Sequence, residues 1–405
     1  MKKVKGAPQF YEWGSSTAIP SFLSQIPDGR PVAELWFGAH PLGKTLCEDG
    51  VSVEELIRRD PGKILGPDIA STFSHSLPYL MKYIAVDTPL SLQVHPVRSQ
   101  AEVGYRQEEQ EGIRLDSFER TYKDPNHKPE LIYALTQCEA LSGFRARRRI
   151  ISLFEDIDTD VARWIHGVMQ KSLPHSRLHE ISGVKKVTQV LLDPQTRPTA
   201  REIGELIGCC RKRLHRGCSP SPRADSIACQ MFDIYPDDPG VIISLLLNPV
   251  TLQPGEVLFN PAGTLHCYVK GFGVEVMAAS DNVVRVGLTR KYVDVHEALE
   301  CIDFHAAPPV RLAPEIVSPH INMFYAPVDD FELCLCHLLE DQRTQLPVHG
   351  ARMVACLQGQ AVAYTQEESV EMVRGDVVFV PACDGPLTLE HCGDEPTHIA
   401  HIDVP

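Results

Sequence analysis

Long hydrophobic runs are missing from this 405-residue chain. None approaches the ~20 residues of a membrane-spanning helix, so a membrane partner is not expected. An excess of positive charge is missing too. Lys and Arg number 39 against 53 Asp and Glu, a net charge of −14. That speaks against nucleic acid as a partner, which calls for a basic face. The opening Met1-Lys-Lys-Val-Lys-Gly-Ala-Pro8 has no apolar segment behind its basic residues, so no secretory leader is expected. The 13 cysteines lack paired spacing beyond Cys209-Cys210 and Cys334-Leu-Cys336. They read as reduced, mostly buried thiols of a cytoplasmic protein, not as a disulfide framework.

What is present points to a globular protein. At ~150 residues per domain the length allows two or three domains, and 43% hydrophobic residues supply a sizeable core. The 32 prolines and many short apolar runs predict strands and loops over a helical bundle. Strands are expected at Ala33–Pro41, Tyr79–Val86, Leu90–His95, Val241–Leu247, Glu256–Asn260, Val274–Met277 and Val283–Leu288, then from Asn322 to the end. Helices are expected after Ser52, within Arg147–Ile157 and Val161–Met169, and at His296–Ile302. A further helix starts at Thr199. There Thr199-Ala-Arg-Glu202 forms a capping box, and Ile203, Leu206, Ile207, Cys210 and Leu214 recur at helical spacing. The basic run Arg145–Arg149 reads as a solvated helix face.

One internal repeat carries weight. Gly255-Glu-Val-Leu-Phe-Asn-Pro261 recurs as Gly375-Asp-Val-Val-Phe-Val-Pro381. Each copy is a turn glycine, an acidic residue, a strand and a proline, which predicts two β-barrels of one type. The first copy continues to His266; the second has no histidine in that place and is expected only to pack.

Several residues carry chemistry. Gly255, Pro261, Gly263 and His266 have the spacing of the second cupin motif, which projects the histidine into a small barrel. On a strand, Ser91, Gln93 and His95 share one face while Leu92 and Val94 share the other. In Asp124-Pro-Asn-His127-Lys128-Pro129-Glu130, two prolines hold a polar segment extended. Gln93, His95, Glu130 and His266 make an N/O ligand set suited to zinc. Asp281 and Arg285 sit among apolar strand residues; a salt bridge is the plain reading, and a planar Arg also suits phosphate or enediolate charge.

Taken together, these segments resemble the type I mannose-6-phosphate isomerase (phosphomannose isomerase) family of zinc cupin enzymes. The matching stretches are Tyr11-Glu-Trp13-Gly14-Ser, Ala33-Glu34-Leu-Trp36-Phe-Gly38-Ala-His40-Pro41, Pro89-Leu-Ser91-Leu-Gln93-Val-His95-Pro96, Asn126-His127-Lys128-Pro129-Glu130, Ala140-Leu-Ser-Gly143-Phe144-Arg145, and Gly255 through Val295. The chain departs from the family at Glu12, where the family often has Asp, Asn or Ala, and at Arg290, where it usually has proline. The resemblance implies a mainly β fold: two cupin or jelly-roll β-barrels with an inserted α-helical domain. Residues 1–145 and 239–300 form the catalytic barrel, 146–238 the helical insert, and 301–405 a degenerate C-terminal barrel.

The resemblance also implies one Zn2+ per chain, on Gln93, His95, Glu130 and His266. It implies reversible interconversion of mannose 6-phosphate and fructose 6-phosphate, by proton transfer through an enediol. The family's active-site positions fall on Trp13, Glu34, Lys82, Ser91, Lys128, Tyr268, Glu275, Asp281 and Arg285. Lys128, His127 and Asp281 are the unranked candidate proton carriers, Arg285 stabilises charge, and Lys82 and Ser91 are expected at the phosphate, with Arg285 as competitor. A monomer is expected, with a small sugar phosphate as partner. Two readings compete: another metal cupin, such as a different sugar-phosphate isomerase or an oxygenase, and a silent sugar-phosphate binding protein. An oxygenase favours two histidines and one carboxylate with open positions, which a fourth ligand opposes. A silent binder is expected to lose Glu130, Lys128 or Arg285, and all three are present.

Overall fold

Apolar strands fold into packed sheets; the helices between Arg147 and Ser244 share one hydrophobic core with them, and the short helices between Val53 and Thr72 join another. The computed structural model describes residues 1–171, 177–346 and 348–405. The fold is mainly β with an α-helical region, as expected, and the sheets end on edge strands instead of closing into barrels. Among the described residues, no helix is long and apolar enough to cross a membrane.

The larger sheet runs Val310–Leu312, Val257–Asn260, Glu130–Ala134, His266–Ala278, Tyr79–Val86, Glu34–Phe37 and Ala7–Gln9 in spatial order. Its central strand, His266–Ala278, has 13 residues, over twice the usual ~5–6. Its first half pairs with Leu92–Val94 and Cys138–Phe144; its second half pairs with Tyr79–Val86 and Glu130–Ala134. The register shifts between Tyr268 and Lys270, and Gly271 follows at φ +132°. A Cβ at Gly271 would lie 2.6 Å from Cys138 Sγ. The bulge and the glycine let one strand serve two layers, and the site residues collect where it turns.

The helical region runs from Arg147–Glu155 through Asp160–Lys171, Arg177–Leu192, Ala200–His215 and Pro222–Ile234 to Gly240–Ser244. In the fourth helix Thr199 and Glu202 complete the capping box, and Ile203, Leu206, Ile207 and Cys210 are buried. Thr199→Ala is expected to cost about 1 kcal/mol, read as a lower urea midpoint at unchanged activity. A buried pair ties this helix to its neighbours. Arg213 donates to both oxygens of Asp225 at 2.5 Å and to the Leu153 carbonyl at 2.6 Å.

Two expectations need correcting. Val241–Leu247 is not a strand: Gly240–Ser244 is a helical turn, and the strand begins at Leu247. The segment is buried on all sides, so no periodicity distinguishes helix from strand, and Asp238 fixes the turn by accepting from Gly240 N at 2.7 Å. Arg145 is not on a solvated face. It is 5% exposed, donates to the Leu247 carbonyl at 2.6 Å, and burial pushes its guanidinium down to about 10.

The C-terminal unit is a sandwich. One sheet runs Glu315–Ser318, Ile321–Phe324, Glu332–Leu338, Thr397–Asp403, Arg352–Gln358, Val377–Val380, Lys2–Lys5 and Leu46–Cys47; a four-stranded sheet faces it. The repeat holds in three dimensions: Gly255 and Gly375 take φ of 92° and 95° ahead of matching strands. The sheets cross the segment boundaries drawn from sequence. Lys2–Lys5 joins the C-terminal sheet, and Val310–Leu312 joins the larger one.

Candidate metal centre

Four of the singled-out residues meet on adjoining strands. His266 lies opposite Gln93, and Gln93 opposite Arg285; Glu130 lies opposite Met277 and Asn260. The ligand atoms of His95, Glu130 and His266 all fall within 4.8 Å of one another, and all three residues are buried. His266 Nε2 is 3.0 Å from Glu130 Oε1, and His95 Nε2 is 3.2 Å from Glu130 Oε2. Gln93 Nε2 lies 3.5 Å from His266 Nε2; turning the amide over brings Oε1 to the same spot.

Backbone carbonyls aim the two imidazoles. His95 Nδ1 bonds the Asn282 carbonyl at 2.7 Å, and His266 Nδ1 bonds the Thr264 carbonyl at 2.8 Å. Each Nδ1–H is thereby fixed, leaving the Nε2 lone pair facing Glu130. His95 Nε2 is buried without a hydrogen bond. Burial, then Lys128, pushes the His95 imidazole down to about 3. Burial pushes the Glu130 carboxyl up, but His266 and His95 outweigh it and hold the acid well below the usual carboxylate range. A neutral His95 beside an ionised Glu130, with the His266 Nε2 lone pair turned to the same point, is what a dication requires, so these residues fit a zinc ion.

Asn282 is the hub that the sequence reading missed. It is fully buried, donates to the carbonyls of Asp124 and Asn126, and accepts from Lys123 N. It thus pins the segment leading to Glu130 as well as His95. Its amide bonds main-chain groups far away in the sequence, so no local spacing marks it.

The remaining predicted residues fall into groups. Tyr268 donates to Glu130 Oε1 at 3.0 Å, and Lys128 Nζ is 3.8 Å from Glu130 Oε2. Lys82 is buried between Glu275 (2.8 Å) and Glu34 (3.3 Å), and Trp36 Nε1 donates to the same Glu34. Burial lowers the Lys82 ammonium, but Glu275 and Glu34 more than offset it and raise it above its ordinary value. Asp281 pairs with His40 at 3.1 Å. Burial raises the Asp281 carboxyl, and His40 outweighs that and lowers it. Trp13 stacks on Tyr11, and Ser91 precedes the strand that carries Gln93. His127 turns away from this group: its Nε2 sits 2.9 Å from both Asp330 and Arg98.

Arg285 and Lys291 form a cationic rim. Burial lowers both, and Arg285 lowers Lys291 further; Lys291 Nζ also lies 5.8 Å from the Tyr11 ring centre. The sequence reading passed over Lys291, although it stands beside the departure at Arg290.

Comparison with known proteins agrees with this geometry. Residues 1–147 match the family model described as phosphomannose isomerase type I, catalytic domain. The chain is 35% identical over 400 residues to the mannose-6-phosphate isomerase of Shigella flexneri, covering 97% of this chain and 98% of that one. A crystal structure of a mannose 6-phosphate isomerase with zinc and yttrium superposes with a TM-score of 0.87 at 32% identity, covering 100% and 99% of the two chains. The apo form from Salmonella typhimurium gives the same score, identity and coverage.

Proposed function

From the membership of this chain in the type I phosphomannose isomerase family, we infer how its own residues interconvert mannose 6-phosphate and fructose 6-phosphate. The reaction moves a proton between C1 and C2 of the open-chain sugar. The observation that carries the assignment is the buried His95–Glu130–His266 triangle with its orphaned His95 Nε2. His95, Glu130, His266 and Gln93 hold zinc, which when bound supplies positive charge to polarise the sugar's carbonyl and hydroxyl oxygens.

The chain's side chains divide the remaining work. Tyr268 orients Glu130 through its hydroxyl. Lys128 and Asp281 handle the proton. Asp281 is kept ionised by His40 and so accepts the proton, while Lys128, beside Glu130, attends the oxygens. His127, engaged by Asp330 and Arg98, serves to anchor its loop. Lys82, already held by two carboxylates, braces Glu34 and Glu275 on the cleft wall. The phosphate lies with Ser91 and Lys291. Trp13 borders the cleft.

Arg285 stabilises charge on the reacting oxygens. Its geometry favours this role: it sits opposite Gln93 on the adjoining strand, and burial costs its charge stability that an anion restores. Arg285→Ala is expected to lower kcat on the order of 10²–10³-fold with zinc content unchanged. An unchanged kcat would remove Arg285 from the chemistry.

One chain supplies His95, Glu130 and His266 together, so a monomer suffices as the working unit. The helical segment and the C-terminal sandwich flank the catalytic sheet and each share a hydrophobic core with it. The 13 unbonded cysteines support a reducing, cytoplasmic setting.

A further inference from the structure

One carboxylate beside the metal centre has no part in the chemistry assigned above. Asp124 opens the segment that ends at Glu130. Across from this segment the central strand finishes. Ala278 N still donates to the Pro129 carbonyl at 3.1 Å, and Ala279 N donates to that of Pro78 at 2.8 Å. Past Ala279 the backbone leaves the sheet, and Ser280, Asp281 and Asn282 are held from the side by Asp124.

Four donors converge on this carboxylate. Oδ1 accepts from Ser280 Oγ at 2.8 Å, Asn126 N at 2.9 Å and Asn282 Nδ2 at 3.2 Å. Oδ2 accepts from Asp281 N at 2.7 Å. None of the nitrogens can reverse. Two are backbone N–H groups, and the Asn282 amide is fixed because its oxygen accepts from Lys123 N at 2.7 Å. Asp281 is thereby gripped at two points: its backbone by Asp124, and its carboxylate by His40 Nε2 at 3.1 Å. The first grip ties the proton acceptor to the segment that carries Lys128 and Glu130.

We propose that Asp124 is a positioning residue for proton transfer, fixing Asp281 against the sugar through the Asp281 backbone N–H. This rests on the assignment of Asp281 as the proton acceptor. The donor set requires aspartate. Asparagine offers one acceptor oxygen where two are used. Three donors meet Oδ1 and one meets Oδ2. The oxygen of an asparagine therefore takes the Oδ1 place, and its NH2 group is left against Asp281 N. The clash falls on Asp281. His95 keeps its aim, because Asn282 Nδ2 retains the carbonyls of Asp124 and Asn126 at 2.7 and 2.8 Å. A displacement of about 1 Å at a reacting group costs on the order of 10²-fold in rate.

The test compares steady-state kinetics of the full-length zinc-loaded enzyme with those of Asp124→Asn, Asp281→Asn and the double variant. In Asp124→Asn, kcat is expected to fall on the order of 10²-fold, with KM and zinc content unchanged. Asp281→Asn is expected to lose about 10²–10⁴-fold. The double variant is then no slower than Asp281→Asn, because Asp124 acts through the group already removed. An unchanged kcat in Asp124→Asn, a loss there that only follows lost zinc, or losses that multiply in the double variant would each overturn the proposal. Full turnover by Asp281→Asn would instead overturn the assignment of Asp281, and the role of Asp124 with it. If Asp124→Asn does not fold, Ser280→Ala decides by removing one of the four donors. Its kcat falls about fivefold, the worth of one net hydrogen bond, at unchanged KM and with no further loss when Asp281→Asn is added; an unchanged kcat overturns the proposal.

Discussion

Glu130→Gln is expected to empty the metal centre. Glutamine keeps the volume but removes the only anion among the four ligands, leaving a dication to bind two imidazoles and two amides. Binding then lacks its main electrostatic partner, and the orienting bond from Tyr268 meets a neutral group. Zinc content should fall from one per chain to below roughly one-tenth. Activity should fall with it: zinc contributes several kcal/mol to transition-state stabilisation, and about 4 kcal/mol corresponds to a loss on the order of 10³-fold in kcat/KM. Metal analysis and a coupled assay on mannose 6-phosphate read both effects. A variant with full zinc and full turnover would refute the assignment of Glu130.

The second large effect is on stability, far from the metal. Arg213→Leu strands Asp225 inside the helical region, where it is 0% exposed. Losing one partner of a buried pair costs about 3–5 kcal/mol, a fall in melting temperature of roughly 12 °C or more for a helical region of this size. The bidentate bonds and the third bond to the Leu153 carbonyl put the loss at the upper end. Replacing Asp225 by leucine as well should recover most of it, because no carboxylate is then left buried. Calorimetry of the single and double variants tests this. A single variant that melts with the parent would show that the pair contributes nothing.

Sequence legibility followed local signals. The strand Tyr79–Val86 and the helix Ala200–His215 appear as expected, because an apolar run and a capping box with helical spacing each declare themselves in a few residues. His266 was found through the glycines and proline that frame it. Other features needed three dimensions. The helix Arg98–Gln110 is polar almost throughout, with only Ala101 buried, so no apolar stripe announced it. Arg145 looks like its exposed basic neighbours Arg148 and Arg149 in sequence. His127 and Lys128 are adjacent in the chain, yet one bonds Asp330 and the other stands beside Glu130. Asn282 works through its side-chain amide on main-chain groups 156–159 positions away, a pairing no local pattern declares.

The pairing of Lys2–Lys5 with Val377–Val380 bears on how the chain is made. Lys3 and its partner Asp376 are 373 positions apart. At about 5–20 residues per second of synthesis, the first strand waits roughly 20–70 s for the edge it will complete. Until then only the two-residue strand Leu46–Cys47 is there to pair with it, and its three lysines keep its open side from recruiting a stranger. Zipping these two strands together is therefore a late step of folding, joining segments that most of the chain separates.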